Sequence, residues 1–239
     1  MISETNRPLY IEFNGVAGSG KTTIASELGK VMSESGYNVF DFHSLCENYR
    51  TRKFWKARIA VQSLKPSNIK KIRMLFNMYY GFNIKNSDRK FIPYLYVTTV
   101  LVDYFADRYK NSIIISDEGI VQYVASTSYD VDIDKTVCLK ALDKFVHSVD
   151  VDVVFINVLL NVDEIAKRLR NREDGQSRLD NEDDQSLKGI VVTQLSNFNK
   201  IRTAISRDAQ INIDANLDAT YNGQYIYNNI VDRVGVKDV

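Results

Sequence analysis

A glycine-rich turn near the amino terminus constrains the fold of this chain more than any other feature. After Pro8, residues 9–13 (LYIEF) have the apolar and aromatic character of a short strand. The turn that follows, residues 15–22 (GVAGSGKT), leads into a stretch in which Ile24, Leu28 and Val31 recur at helical spacing. The sequence therefore predicts a strand, a glycine turn and a helix in that order.

This turn matches the pattern G-x-x-x-x-G-K-S/T. Glycines let the backbone wrap a phosphate chain with its N–H groups pointing inward, at a helix N-terminus that already favours negative charge. In such a loop Lys21 reaches the β- and γ-phosphate oxygens and Thr22 binds Mg²⁺. We therefore expect a nucleoside triphosphate and Mg²⁺ as cofactors, held by Gly15, Val16, Ala17, Gly18, Ser19, Gly20, Lys21, Thr22 and Thr23. The alternative is a glycine turn without a ligand.

Beyond the turn, strand and helix patterns alternate throughout the chain. Apolar runs at residues 112–116 and 151–160 are continuous rather than alternating, which is typical of strands covered on both faces. The predicted fold class is α/β: a three-layer P-loop NTPase fold with a parallel sheet of about five strands, helices on both faces and a mobile lid. Residues 1–239 form one predicted domain, with a helical acceptor-side insertion at 43–110 and the lid at 171–185. Ser67 is a predicted N-cap, and Pro93 is predicted to open a helix.

Composition excludes several other classes of protein. The chain has 239 residues, a formal charge of +1 and only two cysteines, so a disulfide framework or a structural zinc site is not expected. The first residues lack the basic and apolar regions of a signal peptide, and no apolar run is long enough to span a bilayer. These features predict a cytoplasmic protein without a transmembrane segment.

Two carboxylates end the apolar run at residues 113–116. In a parallel sheet the carboxyl end of this strand lies at the same edge as the glycine turn, where open α/β sheets bind ligands. Asp117 could hold the metal or accept a proton from an attacking hydroxyl, and Glu118 offers a second acid/base group. The alternative is a solvated strand end.

Several arginines follow the run at residues 151–160. On a helix Arg168 and Arg172 share a face, whereas Arg170 points nearly the opposite way. Guanidinium groups stabilise the charge that develops in phosphoryl transfer, so Arg168 and Arg172 are candidates for this role, with Arg178 arriving on the lid. The alternative is an exposed helix end at which arginines favour the helix dipole.

Taken in order, the strings GVAGSGKTT, SDEG, KRLRNRE and INIDAN resemble the thymidylate kinase-like branch of the P-loop nucleoside and nucleotide kinases. The resemblance is nearly whole-chain in order but detailed only at these motifs, and residues 43–110 match poorly. It implies that the glycine loop binds ATP and that Asp117 acts near Mg²⁺ and the acceptor. It also implies that arginines of the lid contact the phosphoryl group and adenine, and that the loop after the last strand borders the adenine. These roles fall on Arg168, Arg172, Arg178, Ala215 and Asn216.

Two departures from that family concern the substrate. Ala17 stands where thymidylate kinases usually have an acid, and Glu118 stands where they have an arginine that helps to hold the acceptor phosphate. Both argue against thymidylate as the substrate, and a carboxylate at this strand end suits deprotonation of a hydroxyl. We therefore expect an ATP-dependent kinase of a small hydroxyl-bearing acceptor, neutral or anionic, such as a nucleoside or nucleotide.

The near-zero net charge conceals a basic segment. Residues 50–90 contain 12 Lys or Arg and one Asp, a net charge of +11, interleaved with aromatic residues. This segment could bind an anionic acceptor near residues 43–110, a nucleic-acid strand or an acidic membrane surface, or it could form amphipathic helices with solvated basic faces. Two other functions therefore stay open: an ATP-hydrolysing switch in which Glu118 activates water, and a polynucleotide kinase or nucleic-acid-binding protein. A homodimer is compatible with the sequence.

Overall fold

The structure is a computed structural model that describes residues 8–50, 61–80, 91–127, 143–149, 151–171, 182–205 and 210–234. Its strands are β1 (Leu9–Asn14), β2 (Val39–Asp41), β3 (Ile113–Ser116), β4 (Asp152–Leu159) and β5 (Gln210–Asp214). Its main helices are α1 (Lys21–Glu34), α2 (Phe42–Arg50), α3 (Pro66–Tyr80), α4 (Phe91–Arg108), α5 (Ile120–Thr127), α6 (Val162–Arg170), α7 (Asp184–Ala204) and α8 (Ala219–Val234).

The five described strands form one parallel sheet in the order β2-β3-β1-β4-β5. Strand β1 lies in the centre, with Glu12 opposite Ser116 of β3 and Phe155 of β4. Because all strands run the same way, the loops that follow β1, β3, β4 and β5 come together at one edge of the sheet. The predicted site residues belong to these loops and to the helices that begin there.

Both faces of the sheet are covered, which explains the continuous apolar runs. Alternate residues of β1 contribute to the two hydrophobic clusters: Tyr10 faces helices α2, α4 and α5, and Ile11 faces α1, α6 and α8. Helices α1 and α8 approach closely at Gly223, where a Cβ would lie only 3.2 Å from the backbone of Leu28. The predicted three-layer α/β fold with a parallel sheet of five strands is confirmed.

Two helix starts differ from the sequence prediction. The predicted N-cap Ser67 is wrong, because α3 begins at Pro66 and Ser67 lies inside its first turn. Proline lacks an N–H and has a fixed φ, so it is well suited to the first helical position, where that N–H would have no partner. Helix α4 begins at Phe91, two residues before the predicted start at Pro93. Parts of the predicted insertion (51–60 and 81–90) and most of the predicted lid (172–181) lie outside the described residues.

Helices α3 and α4 are joined by ion pairs that use lysines of the basic segment. Lys71 is buried and donates to Asp103 of α4, whereas the exposed Lys65 lies 3.3 Å from Asp107. Lys71 is therefore part of the interior and is not on a basic surface. Within the described ranges, no helix is both long enough and apolar enough to cross a membrane.

Candidate functional site

The glycine loop connects the carboxyl end of β1 to the start of α1. Gly18 and Gly20 have φ angles of 81° and 92°, a conformation that side chains other than glycine rarely adopt. At Gly15 the restriction is steric: a Cβ would lie 2.8 Å from Ser19 Oγ and 3.0 Å from the carbonyl oxygen of Val158. The backbone path of the loop therefore requires glycine at positions 18 and 20, and at position 15 a side chain would crowd Ser19 and Val158.

Lys21, the first residue of α1, folds back over this loop. Its Nζ donates hydrogen bonds to the carbonyl oxygens of Gly15 (2.8 Å) and Val16 (3.1 Å). The loop is closed by a further bond from Ser19 N–H to Val16 O at 3.1 Å. The ammonium group thus places a positive charge directly on the loop, where an anion bound by the backbone N–H groups would meet it.

Thr22 and Asp117, the two predicted metal ligands, lie in contact. Thr22 Oγ1 donates to Asp117 Oδ2 at 2.6 Å, although the residues are 95 positions apart in the chain. The parallel pairing of β1 with β3 causes this contact, because it places the start of α1 beside the residue that follows β3. A hydroxyl and a carboxylate suit Mg²⁺, which is usually bound by few protein ligands together with phosphates. No group of three or more His, Cys, Asp or Glu side chains able to hold a metal occurs among the described residues.

A groove of about 870 Å³ runs from this contact along α1 towards the edge strand β2. Its volume lies within the range of small-molecule sites. Glu118 is exposed and lines the groove together with Asp117, so both carboxylates of the predicted acidic pair face the same space. The other polar side chains of its lining are Thr22, Ser26, Lys30, Ser33, Glu34, Asp41 and His43.

Arg168 links three of the predicted site segments. From α6 its Nη2 donates to the carbonyl oxygen of Ala215, in the loop after β5, at 3.0 Å. Its Nε lies 3.4 Å from Glu164 Oε1, and a Cβ at Gly20 would lie 3.4 Å from its Nη1. The structure therefore brings the guanidinium group between the glycine loop and Ala215. The neighbouring Asn216 is exposed and donates to Asp214 Oδ1.

The other arginines of this region differ from Arg168. Arg170 points away from Arg168, as predicted. Its Nε donates to Asp184 Oδ1 at 3.0 Å, and its Nη2 donates to the carbonyl oxygen of Glu182. These contacts join α6 to the start of α7. The predicted lid arginines, Arg172 and Arg178, lie outside the described residues.

Two buried polar side chains lie at the glycine loop: Ser19, which belongs to the predicted phosphate loop, and Asn14, which was not singled out from the sequence. Ser19 Oγ and Asn14 Oδ1 are buried and have no hydrogen-bond partner in the described part of the chain. Buried polar atoms normally have a partner, so an unpaired hydroxyl inside the glycine loop is consistent with an anion bound there. For Asn14, the available signal was an amide at the end of an otherwise apolar strand.

Glu12 of β1 was also not singled out. It is fully buried and accepts hydrogen bonds from the backbone N–H groups of Ile120 (2.8 Å), Val121 (2.6 Å) and Gln122 (3.2 Å). Burial raises the pKa of this carboxyl from 4.5 to about 7, although the three N–H groups act in the opposite direction. A charged residue within the apolar run LYIEF was the signal that could have identified it.

Comparison with known proteins adds no family to these observations. No protein-family model matches this chain, and no curated protein matches its sequence. The resemblance to thymidylate kinase-like enzymes therefore rests on the motifs of the sequence.

Proposed function

We propose that this protein is an ATP- and Mg²⁺-dependent phosphotransferase of the thymidylate kinase-like type, acting on a small hydroxyl-bearing acceptor other than thymidylate. The observation that carries the proposal is the 2.6 Å contact between Thr22 and Asp117 at the end of a glycine loop that has the predicted strand–turn–helix context. A hydroxyl and a carboxylate beside a phosphate-binding loop are the side-chain ligands that suit Mg²⁺ bound to phosphates.

On this proposal the glycine loop and Lys21 bind the phosphates of ATP, with Arg168 adding a second positive charge from α6. Thr22 and Asp117 would hold Mg²⁺, which when bound neutralises charge on the phosphates. The unpaired hydroxyl of Ser19 supplies a further donor within the loop. The chain's own part in catalysis is thus to position and stabilise the transferred group.

The acceptor would enter the groove that begins at Thr22 and Asp117. The acceptor oxygen forms a bond to the γ-phosphorus, the bond from that phosphorus to the β–γ bridging oxygen of ATP breaks, and the hydroxyl proton passes to Asp117 or Glu118. The groove reaches His43, at the start of the segment 43–110 that we expect on the acceptor side. Two carboxylates at one end of the groove favour an acceptor that reacts through a hydroxyl.

Nucleotide binding is the first test. We expect Lys21→Ala to weaken Mg·ATP binding at least tenfold, measured by calorimetry, because it removes the ammonium group from the loop. The matched control is Lys110→Ala, since Lys110 is exposed and precedes β3 at the opposite edge of the sheet. Equal affinities for the two variants would contradict the proposal.

Phosphoryl transfer is the second test. Purified protein with γ-labelled ATP and Mg²⁺ is incubated with nucleosides, nucleotides, sugars and oligonucleotides, and labelled products are separated. We expect label on at least one small hydroxyl compound and none with Asp117→Asn. ATP binding without transfer to any member of the panel would overturn the phosphotransferase proposal.

A second candidate, an ATP-hydrolysing switch, is favoured by one observation: Glu118 is exposed beside Asp117, where it could activate water. Rapid acceptor-independent hydrolysis that is lost in Glu118→Gln, with ATP binding retained, would support this candidate. Labelled oligonucleotide would instead support a polynucleotide kinase, whose basic segment lies partly outside the described residues.

A further inference from the structure

Glu12 joins the central strand to the helix that follows the acidic pair. Its two carboxylate oxygens accept the first three N–H groups of α5, which have no partner within the helix. Helix α5 begins at Ile120, and Asp117, Glu118 and Gly119 are the residues that connect it to β3. The position of this connection is therefore determined at one end by β3 and at the other by Glu12.

The connection is packed tightly against the carboxylate. A Cβ at Gly119 would lie 2.3 Å from Glu12 Cδ, so only glycine permits this approach. On the other side of the acidic pair, Ser116 Oγ donates to the carbonyl oxygen of Glu118 at 2.7 Å. Contacts before and after the pair thus restrict where Asp117 can lie.

A third contact reaches the glycine loop itself. Gln122 donates its backbone N–H to Glu12 and accepts, through its side-chain Oε1, the N–H of Gly15 at 3.5 Å. The start of α5 is consequently fastened both to β1 and to the first residue of the loop. Thr22 and Asp117 meet across this same junction, at 2.6 Å.

The chemistry of the junction requires a carboxylate of this length. The two side-chain oxygens of Glu12 serve three N–H donors, whereas a glutamine has one oxygen and would turn its NH₂ group towards at least one of these donors. An aspartate is one methylene shorter, and β1 is held in register between β3 and β4 and cannot move to compensate.

We propose that Glu12 is a positioning residue, which through the N-terminus of α5 holds Asp117 against Thr22 in the arrangement that binds Mg²⁺·ATP. This inference rests on the proposed function, because it takes the bound ligand to be Mg²⁺·ATP. The fastening of residues 117–122 by Glu12 can be tested without any nucleotide.

The first arm of the experiment is amide hydrogen exchange of the full chain. In Glu12→Gln we expect exchange in peptides covering 117–123 to be at least tenfold faster than in the wild type, because a buried donor loses its partner. Peptides from β4 and β5 should exchange as in the wild type. Unchanged exchange at 117–123 would overturn the proposal. Glu12→Asp, for which the same result is expected, serves if the glutamine variant does not give a native circular dichroism spectrum.

The second arm measures how much Mg²⁺ strengthens ATP binding, as the ratio of the dissociation constants in EDTA and in Mg²⁺. We expect Glu12→Gln to lower this ratio at least fivefold while binding in EDTA changes less than twofold. Because Glu12 acts through Asp117, the double variant with Asp117→Asn should have the same ratio as Asp117→Asn alone. Asp152→Asn, the same change of a carboxylate to an amide at the first residue of β4, outside the groove and at the opposite end of the strands, should leave the ratio unchanged.

The outcomes separate this proposal from the proposed function. A ratio that falls independently in the two single variants and multiplies in the double variant would overturn the positioning role, as would equal losses of affinity with and without Mg²⁺. If the wild type binds no ATP, the proposed function fails, and the exchange arm still decides whether Glu12 fastens the segment.

Discussion

Replacing Glu12 by glutamine should change how the stability of the protein depends on pH. The carboxyl is fully buried, and burial raises its pKa in the folded protein to about 7, against 4.5 for the ordinary group. Between these two values the unfolded chain has released the proton while the folded protein retains it. The folded state therefore binds more protons, and stability decreases as the pH rises through this window.

The size of this effect follows from the difference between the two pKa values. At 1.36 kcal/mol per pKa unit, Glu12 contributes about 3 kcal/mol below pH 4.5, and this contribution is lost by about pH 7 to 8. A glutamine does not titrate. The free energy of unfolding of the wild type minus that of Glu12→Gln should thus fall by about 3 kcal/mol between about pH 4.5 and pH 8.

Urea unfolding followed by circular dichroism at several pH values measures this difference. With an m-value of about 3 kcal/mol per molar, the gap between the two midpoints changes by roughly 1 M over the window. Glu34→Gln removes an exposed carboxylate and should follow the wild type to within about 0.5 kcal/mol at each pH. A wild-type-minus-Gln difference that is constant, or that grows with pH, would refute the reasoning, because the three N–H groups of α5 would then outweigh burial.

Two further predictions concern other charged side chains. Lys71→Ala should destabilise the protein by about 3 to 5 kcal/mol in urea unfolding, because it leaves the partner Asp103 without its buried lysine, while the exposed Lys70→Ala should cost under about 0.5 kcal/mol. Comparable losses for the two lysines would contradict the burial of the pair. Arg168→Ala should weaken Mg·ATP binding about tenfold in calorimetry, because the guanidinium group lies between the glycine loop and Ala215, whereas Arg170→Ala should change it by less than about twofold. A larger loss of affinity in Arg170→Ala than in Arg168→Ala would contradict the assignment of Arg168 to the nucleotide site.

The sequence predicted the fold class because its signals are local. Apolar runs, the glycine turn and the helical spacing after it depend on residues within one or two turns of each other, and the structure confirms the elements they predict. The opposite directions of Arg168 and Arg170 follow in the same way from helical geometry. Ser67 is the exception: the sequence predicted a serine cap, but the helix begins one residue earlier, at Pro66, whose ring is already suited to the first helical turn.

The candidate site was only partly predictable. Thr22 and Asp117 were each predicted as metal ligands from their own motifs. Their 2.6 Å contact joins residues 95 positions apart and depends on β3 pairing beside β1. Lys71 was counted with the basic segment, and its burial against Asp103 depends on how α3 packs on α4. Nothing in the local sequence around Lys71 or around Asp103 specifies that packing.

The sequence by itself therefore determined the glycine loop and the alternation of strands and helices, since these arise from backbone geometry and spacing over short distances. Only the tertiary structure decided which strand ends meet, and it assigned Glu12 to the N–H groups of α5 more than a hundred residues away. The physical reason is that burial and hydrogen-bond partners belong to the packed sheet as a whole: the same carboxylate that looks misplaced in an apolar strand is satisfied once another helix begins directly beside it.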